Sequence, residues 1–147
     1  MELVVKAFRE LTTAELYELL RVRAEIFVVE QNCVYQDLDG TDYESLHVFY
    51  KEEDGSVSAY LRIFPKQGST DTMQMGRVLT RVHGQGLGGQ LLKEGIKQAF
   101  AQAWVKKIFI EAQCYAIGFY AKEGFIVSSE EFLEDGIPHV QMLLPRE

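Results

Sequence analysis

Apolar residues change their spacing several times along this chain, and the changes divide it into elements. Glu2 to Phe8 is rich in apolar and β-branched residues and predicts a first strand. Thr12-Thr13-Ala14-Glu15 has the form of a capping box. After it Leu16, Leu19, Leu20, Arg23, Phe27 and Glu30 recur at helical spacing, which predicts a helix running to about Val29. Asn32 to Ser45 has no period and reads as a loop. Leu46–Tyr50 and Val57–Phe64 predict a hairpin around Glu53-Asp54-Gly55-Ser56, with Pro65 stopping the second strand and Lys66 to Thr70 forming another turn. Met73–Thr80 is a third apolar run. Beyond a glycine-rich stretch, Leu87, Leu91, Leu92, Ile96, Ala99, Phe100 and Ala103 mark one helix face. Ile108-Phe109-Ile110 predicts a strand and Phe119–Phe125 a short helix. Ile126–Glu131 and Val140–Leu144 predict a closing antiparallel pair.

The order β, α, β, β, β, α, β, α, β, β predicts an α/β (α+β) fold. Its core is a central mixed, mostly antiparallel sheet of about six or seven strands with helices on both faces. The crossover through Leu87–Ala103 makes the strands on either side of it parallel. No repeat, linker or low-complexity segment divides residues 1–147, so we expect one domain.

Composition narrows the class. The 147 residues are 47% hydrophobic and 25% charged, with a net charge of −7. That balance disfavours nucleic acid and anionic membrane and suits a cationic partner. No apolar run approaches the roughly 20 residues of a membrane helix, and the first residues lack a basic leader before a long apolar core. Cys33 and Cys114 are the only cysteines, so free thiols and a cytoplasmic location are the expectation.

The candidate chemistry centres on Arg81-Val82-His83-Gly84-Gln85-Gly86-Leu87-Gly88-Gly89. Four glycines in this stretch are entropically costly for a plain turn, but they suit a backbone that must approach a ligand closely. A loop that opens a helix presents free N–H groups and the positive end of the helix dipole, a seat for phosphate. Gly84, Gly86 and Gly89 match the dinucleotide pattern G-x-G-x-x-G, with Glu111 near the place of its ribose-binding acid. Against that reading, Arg81-Val82-His83 separates the loop from its strand, and too little chain follows for a second half-sheet. A Walker A loop is excluded because Gln90-Leu91 stands where Lys-Ser/Thr is required.

Arg81-Val82-His83-Gly84-Gln85-Gly86 resembles the pyrophosphate loop of the GCN5-related N-acetyltransferase (GNAT) family, Arg/Gln-x-x-Gly-x-Gly/Ala. Ala116-Ile117-Gly118-Phe119-Tyr120-Ala121-Lys122-Glu123-Gly124-Phe125 is similar to that family's motif B. Phe27–Cys33 with Tyr35, Asp39 and Asp42, and later Glu134–His139, resemble its ElaA-like branch. The resemblance implies acetyl-CoA as co-substrate, with no metal. It places Arg81, His83, Gly84, Gln85, Gly86, Leu87 and Gly88 on the pyrophosphate and the backbone of Val78 and Leu79 beside the pantetheine arm. Gln113 and Phe119 become further cofactor contacts. It also implies that Tyr120 protonates the departing thiolate, where base rate alone would make it a core aromatic. A phenol of pKa about 10 stays protonated at neutral pH and can serve a thiol near about 8.5. Gly76, inside the preceding strand, suggests a bulge.

The acceptor then has to lose a proton. A lysine-like amine of pKa about 10.4 costs about 4.6 kcal/mol to neutralise at pH 7. Glu30, His47, Glu111 and His139 are the candidate bases, and Glu30 and His139 are preferred because both fall in ElaA-like stretches. Ala24 to Tyr50 lacks Lys and Arg but carries Glu25, Glu30, Asp37, Asp39, Asp42 and Glu44, which suggests a funnel for a cationic amine. A calcium loop at Asp37 fails because Asp42 occupies its obligatory glycine position. The expectation is an N-acetyltransferase that moves an acetyl group to a small-molecule or peptide amine by direct attack in a ternary complex. Its catalytic residues are Tyr120, Glu30 and His139, it needs neither nucleic acid nor membrane, and it is compatible with a homodimer. The alternatives are a non-catalytic acyl-CoA-binding module and a dinucleotide-binding oxidoreductase.

Overall fold

The computed structural model describes residues 1–147. Eight strands form one sheet: β1 (Glu2–Ala7), β2 (Leu46–Lys51), β3 (Val57–Pro65), β4 (Thr72–Thr80), β5 (Lys107–Gln113), β6 (Ile126–Val127), β7 (Phe132–Glu134) and β8 (Ile137–Pro145). Their order is β1-β2-β3-β4-β5-β8-β6, with β7 also paired to β8. Every pairing is antiparallel except β4 with β5, where the crossover helix sets the direction. The sheet exceeds the six or seven strands expected because a tight turn at Asp135-Gly136, with φ of 50° and 78°, folds Phe132–Glu134 back on Ile137–His139. No helix is long and apolar enough to cross a membrane, and both cysteines are free thiols.

Side chains alternate across the sheet and build a core on each face. On one face Val48, Leu61, Ile63, Met75, Ile108 and Ile110 pack against Leu91, Leu92 and Ala99 of α2 (Leu87–Phe100) and Tyr120 of α3 (Ile117–Ala121). On the other, Val4, Phe49, Tyr60 and Leu79 pack against Leu19 and Val22 of α1 (Thr13–Arg23). Gly95 lets α2 sit close: a Cβ there would lie 2.7 Å from Leu61 Cδ2.

The capping box forms as expected. Glu15 N–H donates to Thr12 Oγ1 at 3.0 Å, and Thr12 N–H to Glu15 Oε1 at 2.9 Å. The same buried carboxylate accepts from Lys6 and Lys51, which ties α1 to β1 and β2. The helix departs from expectation beyond Arg23. It loosens into a π-helical segment, Ala24–Glu30, instead of continuing as α-helix to about Val29. Such widened turns are rare and concentrate at functional sites.

The segment between this helix and β2 is held by charge. Arg23, with no exposed surface, bonds Asp37 at 3.1 Å and Asp42 at 2.6 Å. Arg62, 3% exposed, bonds Asp39 at 2.7 Å and Asp42 at 3.0 Å. Asp42 is thus shared by two buried cations. His47 is packed beside them: its Nε2–H donates to the Asp42 carbonyl at 2.9 Å and its Nδ1 accepts from Tyr60 OH at 2.6 Å. Burial holds its pKa below the usual imidazole range, so it stays neutral.

Asp42→Ala leaves two arginines buried without their shared partner and should cost about 3–5 kcal/mol in urea unfolding. Removing Glu123 from its pair with the exposed Lys93 should cost less than about 1 kcal/mol. Glu15 adds a pH signature. Burial pushes its carboxyl up, but the Thr12 amide, Lys6 and Lys51 outweigh that and hold it at about 2, against 4.5 ordinarily. A depressed carboxyl stabilises the fold above its unfolded pKa, so this contribution is complete above about pH 4.5 and lost as pH falls towards 2. Glu15→Gln should flatten the acid limb of melting temperature against pH in that window.

Candidate active site

Strands β4 and β5 pair through three positions, Thr72–Lys107, Met73–Ile108 and Gln74–Phe109, and then part. The gap between them opens a cleft of about 1080 Å³. The parting has a local cause on β4. Tyr60 faces Leu79, yet Arg62 faces Gly76, so β4 carries one residue more than β3 over this interval. That is a β-bulge. Gly76 lies in it as the sequence suggested, but the left-handed residue is Arg77, with φ 53°. Arg81 donates its N–H to the Ser58 carbonyl at 2.9 Å, closing the regular part of the ladder. Alternation from that bond turns the Leu79 amide towards β3 and the Val78 amide towards the opened edge. Val78 and Leu79 both line the cleft, and Val78 is the one that can offer it an N–H.

The glycine loop stands at the wide end. From Val82 to Gly89 no backbone or side-chain acceptor in the protein takes the main-chain N–H groups; the ladder resumes at Gln90, which donates to the Gly86 carbonyl. Gly84 and Gly86 adopt φ of 80° and 72°, open to glycine at little cost, and Gly86 caps α2. Gly88 lets the first turn sit against the sheet: a Cβ there would meet Thr80 Cγ2 at 3.3 Å and the Phe119 ring at 3.4 Å. A row of unpaired donors at a helix N-terminus suits a diphosphate. His83, Gly84, Gly86, Leu87, Gly88 and Phe119 line the cleft. Arg81 and Gln85 do not: Arg81 is turned away, its guanidinium 3.4 Å from Glu25, and Gln85 is exposed.

Tyr120 lines the same cleft from α3, 9% exposed, its ring edge-on to Phe119 and Phe125 at 5.0 and 5.7 Å. Burial pushes its phenol above the ordinary value, so the hydroxyl is a proton donor at neutral pH. Gln113, at the end of β5, exchanges two 3.3 Å amide hydrogen bonds with Gln31, which follows the π-helical segment. Cys114 donates to Glu131 at 3.3 Å, and burial and that carboxylate push its thiol up, which argues against a nucleophile.

The candidate bases separate clearly. Glu30 is exposed at the end of the π-helical segment and does not reach the cleft. The one-helix reading put it on the inner face; the wider turn rotates it outward. His47 has both nitrogens engaged in the interior. His139 lines the cleft, 6% exposed, stacked on Phe132. Its Nδ1 lies 2.7 Å from the Ile137 carbonyl, which can only accept, so Nδ1 carries the proton and Nε2 faces Glu134 at 3.4 Å. Glu111 is two residues past the last β4–β5 pair, on the same sheet face as Gln113, which pairs with His139. Burial and the nearby Glu134 raise its pKa, with His139 and Lys66 opposing.

The acidic stretch is not the open funnel expected. Asp37, Asp39 and Asp42 are neutralised by Arg23, Arg62 and Arg77, all from outside the segment. The carboxylates left on the cleft wall without a basic partner are Glu44, Glu111 and Asp135, with Glu134 beside His139. The sequence reading missed this network. Its one signal was Arg23, a cation on the apolar face of α1.

A dinucleotide site of the doubly wound kind needs a largely parallel sheet, and β4–β5 is the only parallel pair here. The comparisons agree. Residues 15–145 match the family described as Acetyltransferase (GNAT) domain. A UPF0039 protein of Mycobacterium tuberculosis is 40% identical over 142 residues, 93% of this chain and 88% of that one. ElaA of Escherichia coli is 36% identical over 137 residues, 90% and 89% of the two chains. The crystal structure of Escherichia coli ElaA superposes with a TM-score of 0.89 at 34% identity, covering 97% of each chain. That of an acyl-CoA N-acyltransferase from Pseudomonas aeruginosa also gives 0.89 and 34%, covering 97% of this chain and 99% of its own. With the parted strands, the unpaired loop amides and these relatives in agreement, the chain belongs to the GNAT acetyltransferase domain family, in the branch that contains ElaA.

Proposed function

We propose that this protein is an acetyl-CoA-dependent N-acetyltransferase acting on a cationic primary amine. The observation that carries the proposal is the run of unpaired amides from Val82 to Gly89, set at the wide end of a cleft that narrows towards Gln74 and Phe109. The loop holds the diphosphate, and the opened edge of β4 runs beside the pantetheine arm. The Val78 N–H points where a thioester carbonyl would lie and stabilises charge that develops on its oxygen. Gln113 is the side chain on β5 that can bond a pantetheine amide, by giving up its bonds to Gln31.

On the acceptor side, Glu44, Glu111, Glu134 and Asp135 make the wall anionic and attract an ammonium ion. His139 is the base we assign. Its Nδ1–H is committed to Ile137, so Nε2 is the nitrogen that takes a proton, and Glu134 stabilises the imidazolium formed. The proton balance closes in one ternary complex. The ammonium gives one proton to His139, and the neutral amine attacks the carbonyl carbon. The C–N bond forms as the C–S bond breaks, and Tyr120 gives its proton to the departing sulfur. One of the two nitrogen protons passes to the phenolate and leaves the amide N–H in place, and His139 releases its proton to solvent.

Thiol release on a panel of primary amines tests this. Tyr120→Phe and His139→Gln should each lower kcat by about 10²–10⁴-fold with CoA affinity unchanged. A Tyr120→Phe protein as active as the parent would remove the assigned acid, and tight CoA binding with no turnover on any amine would favour a non-catalytic binder. Gly86→Val places a β-branched residue at φ 72°, where a Cβ meets no neighbour, so it strains the loop without crowding it. Calorimetry should show CoA affinity reduced by about tenfold or more, with the melting temperature little changed.

A further inference from the structure

The bulge on β4 is built on an unusual residue. Gly76 is available, yet the left-handed conformation falls on Arg77, a long side chain for which it is unfavourable. Such a conformation persists only where the surroundings over-determine it. They do so here through the guanidinium. Arg77 Nε donates to Asp37 Oδ1 at 2.8 Å, Nη2 to the Asp37 carbonyl at 3.1 Å and, at 3.4 Å, to Asp39 Oδ2. The guanidinium also lies 5.4 Å from the centre of the Tyr35 ring. Asp37 is not a loose partner: its other oxygen accepts from Arg23 Nε at 3.1 Å, and Arg23 Nη2 donates to the same carbonyl. The fixed point is therefore α1, through the fully buried Arg23, and the chain of bonds runs Arg23, Asp37, Arg77, bulge.

Resting on the functional reading above, we infer that Arg77 is a positioning residue: its side chain clamps the β4 bulge to Asp37 and so aims the Val78 N–H at the thioester carbonyl. Arg77 lines the cleft, but its guanidinium is turned to Asp37 and Asp39, so its role is to hold the strand rather than to supply a reacting group. The segment 31–45, which bears Asp37, also supplies part of the acceptor wall through Gln31, Tyr35 and Glu44. The clamp therefore fixes the acceptor wall and the donor edge in one frame. Misplacing a catalytic group by about 1 Å can cost about 100-fold in rate, so a bulge freed to relax is visible in kcat.

Arg77→Gly is the informative variant. Glycine accepts φ 53° without strain and keeps the backbone, while the clamp is lost. Folding survives, because Asp37 keeps Arg23 and Asp39 keeps Arg62. The expected result is a kcat lower by about 10- to 100-fold, CoA affinity within about threefold of the parent because the grip at Val82–Gly89 is untouched, and partial recovery in Arg77→Lys. Asp37→Asn should act in the same direction, and the pair should be non-additive. Hydrogen exchange provides a readout independent of turnover: amides of residues 76–79 should exchange faster in Arg77→Gly than in the parent, with α2 unchanged. Parental kcat and parental exchange in Arg77→Gly overturn the clamp. Loss of CoA affinity in step with kcat also overturns it, since that marks a general structural role. A parent that binds CoA and transfers to no amine overturns the functional reading instead, and the exchange result then decides whether the bulge is clamped at all.

Discussion

Two neighbouring strands that stop pairing leave main-chain donors and acceptors without partners, and this protein is arranged around one such interruption. β4 and β5 share three residue pairs and then diverge. In a closed sheet those groups would bond each other; here they border a cleft. The bulge, the open edge at Val78 and the glycine loop at Val82–Gly89 are successive parts of one β-to-α connection. A cofactor rich in phosphate and amide groups can satisfy the groups that the fold leaves open. The rest of the sheet is conventional, with alternating side chains and helices on both faces.

The charged cluster beside the cleft is costly to build. Buried arginines lose their hydration, and that penalty is offset only by close, well-directed partners. Asp37, Asp39 and Asp42 supply them, with nearly every guanidinium donor occupied; Arg62 Nε alone is buried without a partner. An apolar cluster could stabilise the same segment, but without directional bonds it would fix position less tightly. Guanidinium forks set the orientation as well as the distance of the 31–45 segment.

The glycine loop ahead of a helix and nearly all the strands were legible in the sequence because each rests on local spacing, whereas the motif around Tyr120 was legible only through its resemblance to the family. Gly84, Gly86 and the apolar face after them announce a glycine loop opening a helix, and Ile108–Ile110 announces β5. The charge network was not legible in the same way. Arg77 and Asp37 are far apart in the chain, and a run of acids without nearby cations reads as a solvated surface until folding brings the arginines in. Glu30 was misplaced for a different reason. Its spacing fits an α-helix, and nothing in Ala24–Glu30 signals that the turns widen there. β7 was missed because a three-residue strand has no measurable period; only Asp135-Gly136 marks its turn.

The π-helical stretch gives the chain a phase that an ordinary helix would lack. Each extra residue accommodated in a widened turn advances everything downstream by about 100° around the axis. Gln31, Cys33 and Tyr35 inherit that offset, and with it their place on the rim of the cleft. Excising one amino acid between Ala24 and Glu30 would tighten the spiral, yet swing the rim segment off its bearing, so chain length there is as constrained as any side chain.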